Sequence, residues 1–253
     1  MAECDLPKVE TRVRFSSPAP IFMHEEKHPT FAGAHIKDFI YGANDGIITT
    51  FAIVTGAAGA DFSPLVVIVL GFANLLADGF SMAASNYLGN SSEDALFREE
   101  EKREIREVEE KPEAEREEVR RVFQKFDFDG EQTENMTRAI SGNKKFWVDF
   151  MMRYELGMMP GESKHIWSAV VTFLAFVTIG SLPLLPFIFI NYSGNTILYS
   201  VISTAIALFA TGSLRSIFTK KHWLLSGLEM FFIGGVAAGV SYLVGYGLSL
   251  VTG

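Results

Sequence analysis

Five long apolar stretches, each of about twenty residues or more, constrain the fold of this chain more than any other feature. A helix of that length crosses the hydrocarbon core of a bilayer, which is about 30 Å thick. Because lipid offers no hydrogen-bond partners to the backbone, stretches of this kind form helices. We predict five transmembrane helices, over approximately residues 38–58, 65–88, 166–190, 196–218 and 223–251.

The charged residues are concentrated between the second and third stretches. Most of the 30 acidic and 22 basic residues lie within 91–165, and the formal net charge is −8. An acidic balance argues against nucleic-acid binding and is compatible with attraction of cations. We therefore predict an all-α integral membrane protein with five transmembrane helices and a cytosolic three-helix metal-binding module inserted between spans two and three.

The orientation follows from the distribution of basic residues. Residues 1–30 carry prolines and mixed charges but no apolar core of signal-peptide length, which predicts a cytosolic N-terminal tail. The turns after spans one and three lack lysine and arginine, whereas Arg215, Lys220 and Lys221 surround the loop after span four, so the positive-inside rule puts the tail and the module in the cytosol. The predicted parts are the tail (1–30), spans one and two (31–90), the module (91–165) and spans three to five (166–253).

Acidic residues inside the first two spans indicate a functional path through the membrane. Asp45 and Asp78 lie within apolar stretches, where an ionisable group is costly and usually functional. Asp38 lies seven residues before Asp45 on the same helical face, and Asn74, Asp78 and Met82 recur every four residues. Carboxylate and amide oxygens suit hard divalent ions, and a thioether adds a soft ligand, a mixture that fits ferrous iron. We predict that these five residues line a transport path; the alternatives are an interfacial Asp38, ordinary packing of Met82, and an Asp78 that orients backbone or pairs with a cation.

Three helices are expected in the module. The first runs from the end of span two to about Glu110, the second covers 112–126 and the third covers 131–156. Proline at 112 ends the first helix and suits the first turn of the second. Asp129 and Gly130 mark the second break.

Glutamates in this module align with faces that should be buried. Glu104 and Glu107 form one Glu-x-x-Glu pair and Glu115 and Glu118 form another, while the third helix carries two methionines and Glu155. Adjacent anionic ligands repel one another unless a cation lies between them, which indicates a polynuclear metal site. A solvated helix face is the alternative for any one glutamate.

Nothing in the sequence indicates an enzyme. There is no EF-hand spacing, P-loop or Walker signature, and so no visible motor for ATP-driven pumping. Glu162-Ser-Lys-His165 matches one half of a di-iron motif, but a second copy is missing, and we interpret the match as chance. We expect no resident cofactor. Ferrous iron is the expected transported substrate, and we expect the module to bind it.

Several motifs together resemble the vacuolar iron transporter family. They are Tyr41-Gly-Ala-Asn-Asp-Gly-Ile-Ile-Thr-Thr50, Ala77-Asp-Gly-Phe-Ser-Met82, the Glu-rich helices, Met151-Met152-x-x-Glu155 and Ser226-Gly-Leu-Glu-Met230. The likeness runs from about Phe31 to the C-terminus. It implies a homodimer of five-span subunits that exports ferrous iron from the cytosol in exchange for protons.

The resemblance also implies residue roles. Asp45 and Met82 would line the path at the dimer axis, and Asp38 would be a further path-lining acid. The metal ligands of the module would be Glu104, Glu107, Glu115, Glu118, Met151, Met152 and Glu155. Asn74 and Asn86 depart from the family pattern, in which acidic residues are usual, and both departures reduce the number of protonatable groups in the path.

We therefore expect a transporter that exports ferrous iron, with manganese and other divalent transition metals as further candidate substrates, by exchange for protons. It would lie in a vacuolar or other endomembrane or in a bacterial cytoplasmic membrane. The alternative from another class is a membrane-anchored metal buffer or sensor, and a di-iron oxidase is a third hypothesis that lacks the necessary histidines. Glu229 in span five is either a second proton site or a member of an ion pair.

Overall fold

The computed structural model describes residues 31–161, 165–190 and 195–252, and the predicted tail at 1–30 lies outside these ranges. Within them the chain is helical and contains no strand. Its helices are α1 (Phe31–Gly59), α2 (Pro64–Glu110), α3 (Pro112–Gln124), α4 (Gly130–Ser141), α5 (Lys144–Tyr154), α6 (His165–Gly180), α7 (Leu185–Phe189), α8 (Thr196–Thr219) and α9 (Trp223–Thr252). The all-α prediction is confirmed for the described residues.

Four segments are long and apolar enough to cross a membrane: part of α2, the stretch His165–Phe189, most of α8 (Thr196–Ile217) and most of α9 (Trp223–Val251). Large apolar side chains such as Phe80 and Phe232 are exposed on their outer faces, as expected for helices that contact lipid. The chain is therefore a multi-pass membrane protein.

The first helix is not among the four apolar segments, because polar residues and glycines lower its hydropathy. It nevertheless occupies the centre of the bundle, where it packs against α6 and α9 and also contacts α2 and α8. Ala43, Ile47 and Val54 on α1 are fully buried. The structure thus shows four candidate spans around a polar central helix, and a fifth crossing stays a prediction.

Close contact between α1 and α6 sets the orientation of the central helix. Gly42 and Gly46 face the α6 backbone, and a methyl group at either position would collide with the carbonyl oxygen of Thr172 or Phe176. Small residues at four-residue spacing allow this approach between membrane helices. Rotation of α1 would replace glycine by a larger side chain at the contact, so the acidic face of α1 is held in one direction.

Helix α2 joins the membrane bundle to the module without a break. Its 47 residues correspond to about 70 Å, more than twice the thickness of the hydrocarbon core. The helix ends at Glu110, just before Lys111 and Pro112, as the sequence predicts. One rigid element therefore carries both the polar stripe at 74–82 and the first glutamates of the module.

Two predicted helices are interrupted. The predicted helix over 131–156 is α4 followed by α5, because Gly142 ends the first and the side chain of Asn143 accepts a hydrogen bond from the Phe146 backbone N–H at 3.1 Å to begin the second. The predicted span 166–190 is α6, a single 3-10 turn and α7, since Pro183 and Pro186 interrupt the helical hydrogen bonds. The predicted three-helix arrangement of the module is thus replaced by the end of α2 and three shorter helices.

Candidate metal centre and transport path

Three carboxylates of the module converge on one point. Glu104 from α2, Glu115 from α3 and Glu155 just after α5 each offer an oxygen, and these oxygens lie within 4.8 Å of one another. Glu104 and Glu115 are only 4% and 5% exposed. Carboxylates are rarely buried this deeply without a compensating partner.

Helix periodicity explains why these acids are buried. Glu104 lies one turn before Val108 on the buried face of α2, and Glu115 lies one turn before Val119 on the buried face of α3. Both valines belong to the apolar core of the module, which also contains Trp147. The acids therefore extend two apolar stripes into the contact between α2 and α3.

A cavity of about 300 Å³ surrounds the three carboxylates. Glu107 and Glu118 also line it, so the structure brings together all five glutamates predicted as ligands. Arg103 and Lys111 stand at the same cavity, and Arg103 Nε lies 3.5 Å from Glu107 Oε1. The excess of acid over base makes this cavity a suitable place for a cation.

Burial and mutual repulsion raise the pKa values of the cluster. Burial, together with the charge of Glu115 and a hydrogen bond to it, raises the pKa of Glu104 from 4.5 to about 8. Burial and a hydrogen bond with Glu118 raise the pKa of Glu155 to about 7. Burial also raises the pKa of Glu115, against the opposing effect of its hydrogen bond with Glu104. Near neutral pH the cluster without a metal therefore holds protons that a metal ion would displace.

Apart from the hydrogen bond that the two acids share when one is protonated, Oε1 of Glu104 and Oε2 of Glu115 have no hydrogen-bond partner among the described residues. A buried polar atom without a partner costs on the order of 1–3 kcal/mol. An oxygen-ligated divalent cation would remove this cost, since carboxylate oxygens are the ligands that such ions take. The donor set thus fits a divalent metal ion.

The two predicted methionine ligands are buried in the apolar core of the module. Met151 and Met152 are 0% and 2% exposed and pack among the aromatic and aliphatic side chains of α3 and α5. The backbone N–H of Glu155 donates to the Met151 carbonyl at 3.0 Å, so the methionines lie one turn before that acid. Their packing role is established by burial, and their role as soft ligands stays a prediction.

Inside the bundle, Asp45 lines an open cavity of about 470 Å³ between α1 and α8. Lys37 and Arg215 line the same cavity. Asp78 on α2 is close enough for its charge to act on Asp45, so the two membrane acids predicted from sequence interact electrostatically. Met82 packs beside the apolar core of the bundle.

Asp38 is held by hydrogen bonds between helices. Its Oδ1 accepts from the side-chain amide of Asn86 on α2 at 3.0 Å, and its Oδ2 lies 3.3 Å from Nδ1 of His35. Asp38 thus faces α2 at the end of α1 nearer the module. His35 and Asn86 were not predicted as site residues, although Asn86 continues the four-residue spacing of Asn74, Asp78 and Met82, and this continuation is the signal that identifies it.

The structure also describes two other features noted in the sequence, which are Glu229 and part of the Glu162–His165 motif. Glu229 lies 3.6 Å from Arg215, which places it in an ion pair between α8 and α9, one of the two alternatives left open. His165 Nε2 lies 2.5 Å from Oδ2 of Asp94, and Glu162 of the partial di-iron motif lies outside the described residues.

The fold and these two acidic regions define a multi-pass α-helical membrane protein whose water-exposed helices present a cluster of buried carboxylates. A sequence model described as the VIT family matches residues 36–246. The chain belongs to this family, and the resemblance to vacuolar iron transporters is confirmed.

Curated relatives cover most of the chain. "Vacuolar iron transporter 1" of Arabidopsis thaliana is 34% identical over 87% of this chain and 88% of its own length. "Vacuolar iron transporter" of Plasmodium falciparum is 34% identical over 88% of this chain and 85% of its own length. "Vacuolar iron transporter 1" of Oryza sativa subsp. japonica is 33% identical over 87% of both chains.

Proposed function

We propose that this protein exports ferrous iron, and related divalent ions such as manganese, from the cytosol across an endomembrane in exchange for protons. The observation that carries the proposal is the pair of acids, Asp45 and Asp78, that lie within electrostatic reach of one another inside an apolar bundle. Relatives over most of the chain are named for vacuolar iron transport, which supports iron as the substrate.

The proposed mechanism uses competition between proton and metal. The module collects Fe²⁺ from the cytosol, and binding releases the protons held by Glu104 and Glu155, whose pKa values are raised to about 8 and about 7. The ion then passes along the polar stripe of α2 to Asp45, Asp78 and the thioether of Met82. Protons that arrive from the opposite side occupy these carboxylates and release the metal. Exchange requires this competition and alternating access.

We also propose that the chain crosses the membrane five times and that two copies form a homodimer. Helix α1 lies at the centre of the described bundle, and a crossing by this polar helix is tolerated where it is shielded by neighbouring helices. The cavity that Asp45 lines is open, and we propose that a second copy of the chain faces it in a homodimer.

Transport into proteoliposomes tests the proposal. Vesicles that contain the full chain and an internal pH dye receive Fe²⁺ outside, with and without a proton gradient. We expect gradient-dependent metal entry with matching proton efflux, and we expect Asp45→Asn to abolish both. Asp61→Asn is the matched control, since it makes the same change in the exposed turn after α1.

The alternative function is a membrane-anchored metal buffer or sensor. It predicts tight binding by the module without entry into the vesicle. Binding without entry in the wild-type protein, or entry at the wild-type rate in Asp45→Asn, would refute the proposed path. A buffer gains nothing from carboxylates within the bundle, and the structure therefore favours transport over this alternative.

A further inference from the structure

The side chain of Asn86 connects three helices of the bundle, α1, α2 and α6. Its Nδ2 donates to Oδ1 of Asp38 on α1 at 3.0 Å and to Oγ1 of Thr172 on α6 at 2.7 Å. Its Oδ1 accepts from Nδ2 of Asn90, one turn further along α2, at 2.7 Å. Thr172 is fully buried, so this connection lies inside the bundle.

The neighbouring hydrogen bonds determine the orientation of the amide. The Thr172 hydroxyl donates its proton to the Ser168 carbonyl at 2.9 Å, so its oxygen is left to accept from Asn86. Asn90 supplies a donor to the other side of the amide. Both N–H bonds of Asn86 are therefore directed at acceptors, and a reversed amide would place its oxygen against the Asp38 carboxylate.

We propose that Asn86 is a positioning residue that holds the carboxyl group of Asp38 in one orientation, with Oδ1 directed at α2, at the end of the path nearer the module. This inference rests on the proposed transport function and names a residue that acts on it through Asp38. The amide of Asn86 is itself held by Thr172 and Asn90, so its N–H group is a fixed donor to Asp38. A carboxylate at position 86 would replace this donor by an acceptor and remove the hydrogen bond.

The position of Asn86 along α2 places the Asp38–Asn86 pair between the module and the acids of the bundle, where a metal ion would enter the path. Asn86 lies eight residues beyond Asp78 toward the module, which corresponds to about 12 Å along the helix. It lies about 27 Å before Glu104 on the same helix. An acidic side chain held in one orientation at this point offers its oxygens to a cation that leaves the module on its way toward Asp45.

Few titratable groups surround the pair in the described structure. On α1, His35 lies against Asp38, and Ser168 of α6 lies against His35. On α2, Asp78 and Asp94 lie two turns away on either side. On α6, His165 is paired with Asp94.

Infrared spectroscopy tests the inference on the purified full chain without requiring transport. The carboxyl band of Asp38 is identified as the one lost in Asp38→Asn. We expect Asn86→Ala and Asn86→Asp each to shift this band, because both variants remove the amide that donates to Asp38. An Asp38 band unchanged in both variants would overturn the inference. Thermal unfolding of each variant identifies any that is misfolded, and either variant alone decides the question.

Transport kinetics give the second readout. We expect Asn86→Ala to raise the KM for Fe²⁺ roughly tenfold, the effect of losing a hydrogen bond to a charged group, with the maximal rate retained. Ser92→Ala is the matched control, since Ser92 is exposed on the same helix and donates only to the Leu88 carbonyl. An unchanged KM in Asn86→Ala would overturn the inference while the proposed function stands. Absence of transport in the wild type and in Ser92→Ala would refute the proposed function and leave the infrared result to decide the role of Asn86.

Discussion

Replacement of Glu104 by glutamine should stabilise the metal-free module at alkaline pH. Burial and neighbouring carboxylates raise the pKa of Glu104 from 4.5 to about 8, so the folded module binds a proton that the opened module releases. Opening therefore becomes easier as pH rises between these two values. The glutamine side chain has nearly the same shape and carries no proton to lose, so it removes this dependence.

The magnitude follows from the same pKa difference. At about 1.4 kcal/mol per pH unit, it corresponds to roughly 5 kcal/mol for an isolated carboxyl. Because Glu115 and Glu155 are coupled to Glu104 and retain part of the cost, we expect Glu104→Gln to add about 2 to 3 kcal/mol to the opening free energy at pH 8.5, and much less at pH 5.

Hydrogen exchange of the α3 amides in the full chain measures this opening, after correction for the intrinsic exchange rate at each pH. Wild-type protection should fall between pH 5 and pH 8.5 and recover when a divalent metal is added. Protection in Glu104→Gln should depend only weakly on pH and on added metal. Glu101→Gln, an exposed position on the same helix, is the control and should behave like the wild type. Wild-type protection that is constant across this range would refute the argument from buried carboxylates.

Three further variants test other parts of the structure. Met152→Leu keeps the volume of a buried side chain, so stability should change by less than about 1.5 kcal/mol, while affinity for soft ions such as Cd²⁺ should fall more than affinity for Mn²⁺ in equilibrium titrations. Gly46→Ala should destabilise the bundle by about 1–3 kcal/mol in thermal unfolding, because the added methyl meets the carbonyl of Phe176, and wild-type stability would contradict the close helix contact. Asp78→Asn should change the pH dependence of transport through loss of the acid that interacts electrostatically with Asp45, and an unchanged profile would argue against their coupling.

Much of the architecture was predictable from local pattern. Apolar length predicts the four helices confirmed as candidate spans, and Lys111-Pro112 predicts the end of α2. The polar helix α1 and the interrupted helical segments were harder to predict from local pattern. Gly142 and Asn143 divide a helix whose apolar periodicity continues on both sides, and Pro183 and Pro186 divide the third apolar stretch, so periodicity alone predicts one helix in each case.

The candidate site was predictable as a set of residue types but not as a geometry. Sequence spacing places Glu104 and Glu115 on the apolar faces of their helices, and family resemblance adds Glu155. Only the packing of three helices shows that their oxygens lie within 4.8 Å of one another and that burial raises the pKa values of all three acids. The sequence likewise places Asp38 and Asp45 on one face of α1. The hydrogen bond from Asn86 to Asp38, by contrast, joins two residues that are 48 positions apart in the chain and depends on contact between their helices.

The sequence by itself therefore determined the class of protein, its helical content and the acidic residues of the candidate sites, because hydropathy, helix period and turn residues act over neighbouring positions. The tertiary structure alone decided which acids meet and which polar groups orient them. Burial and electrostatic coupling depend on distances between side chains that are remote in the chain, and these distances are set by how the helices pack.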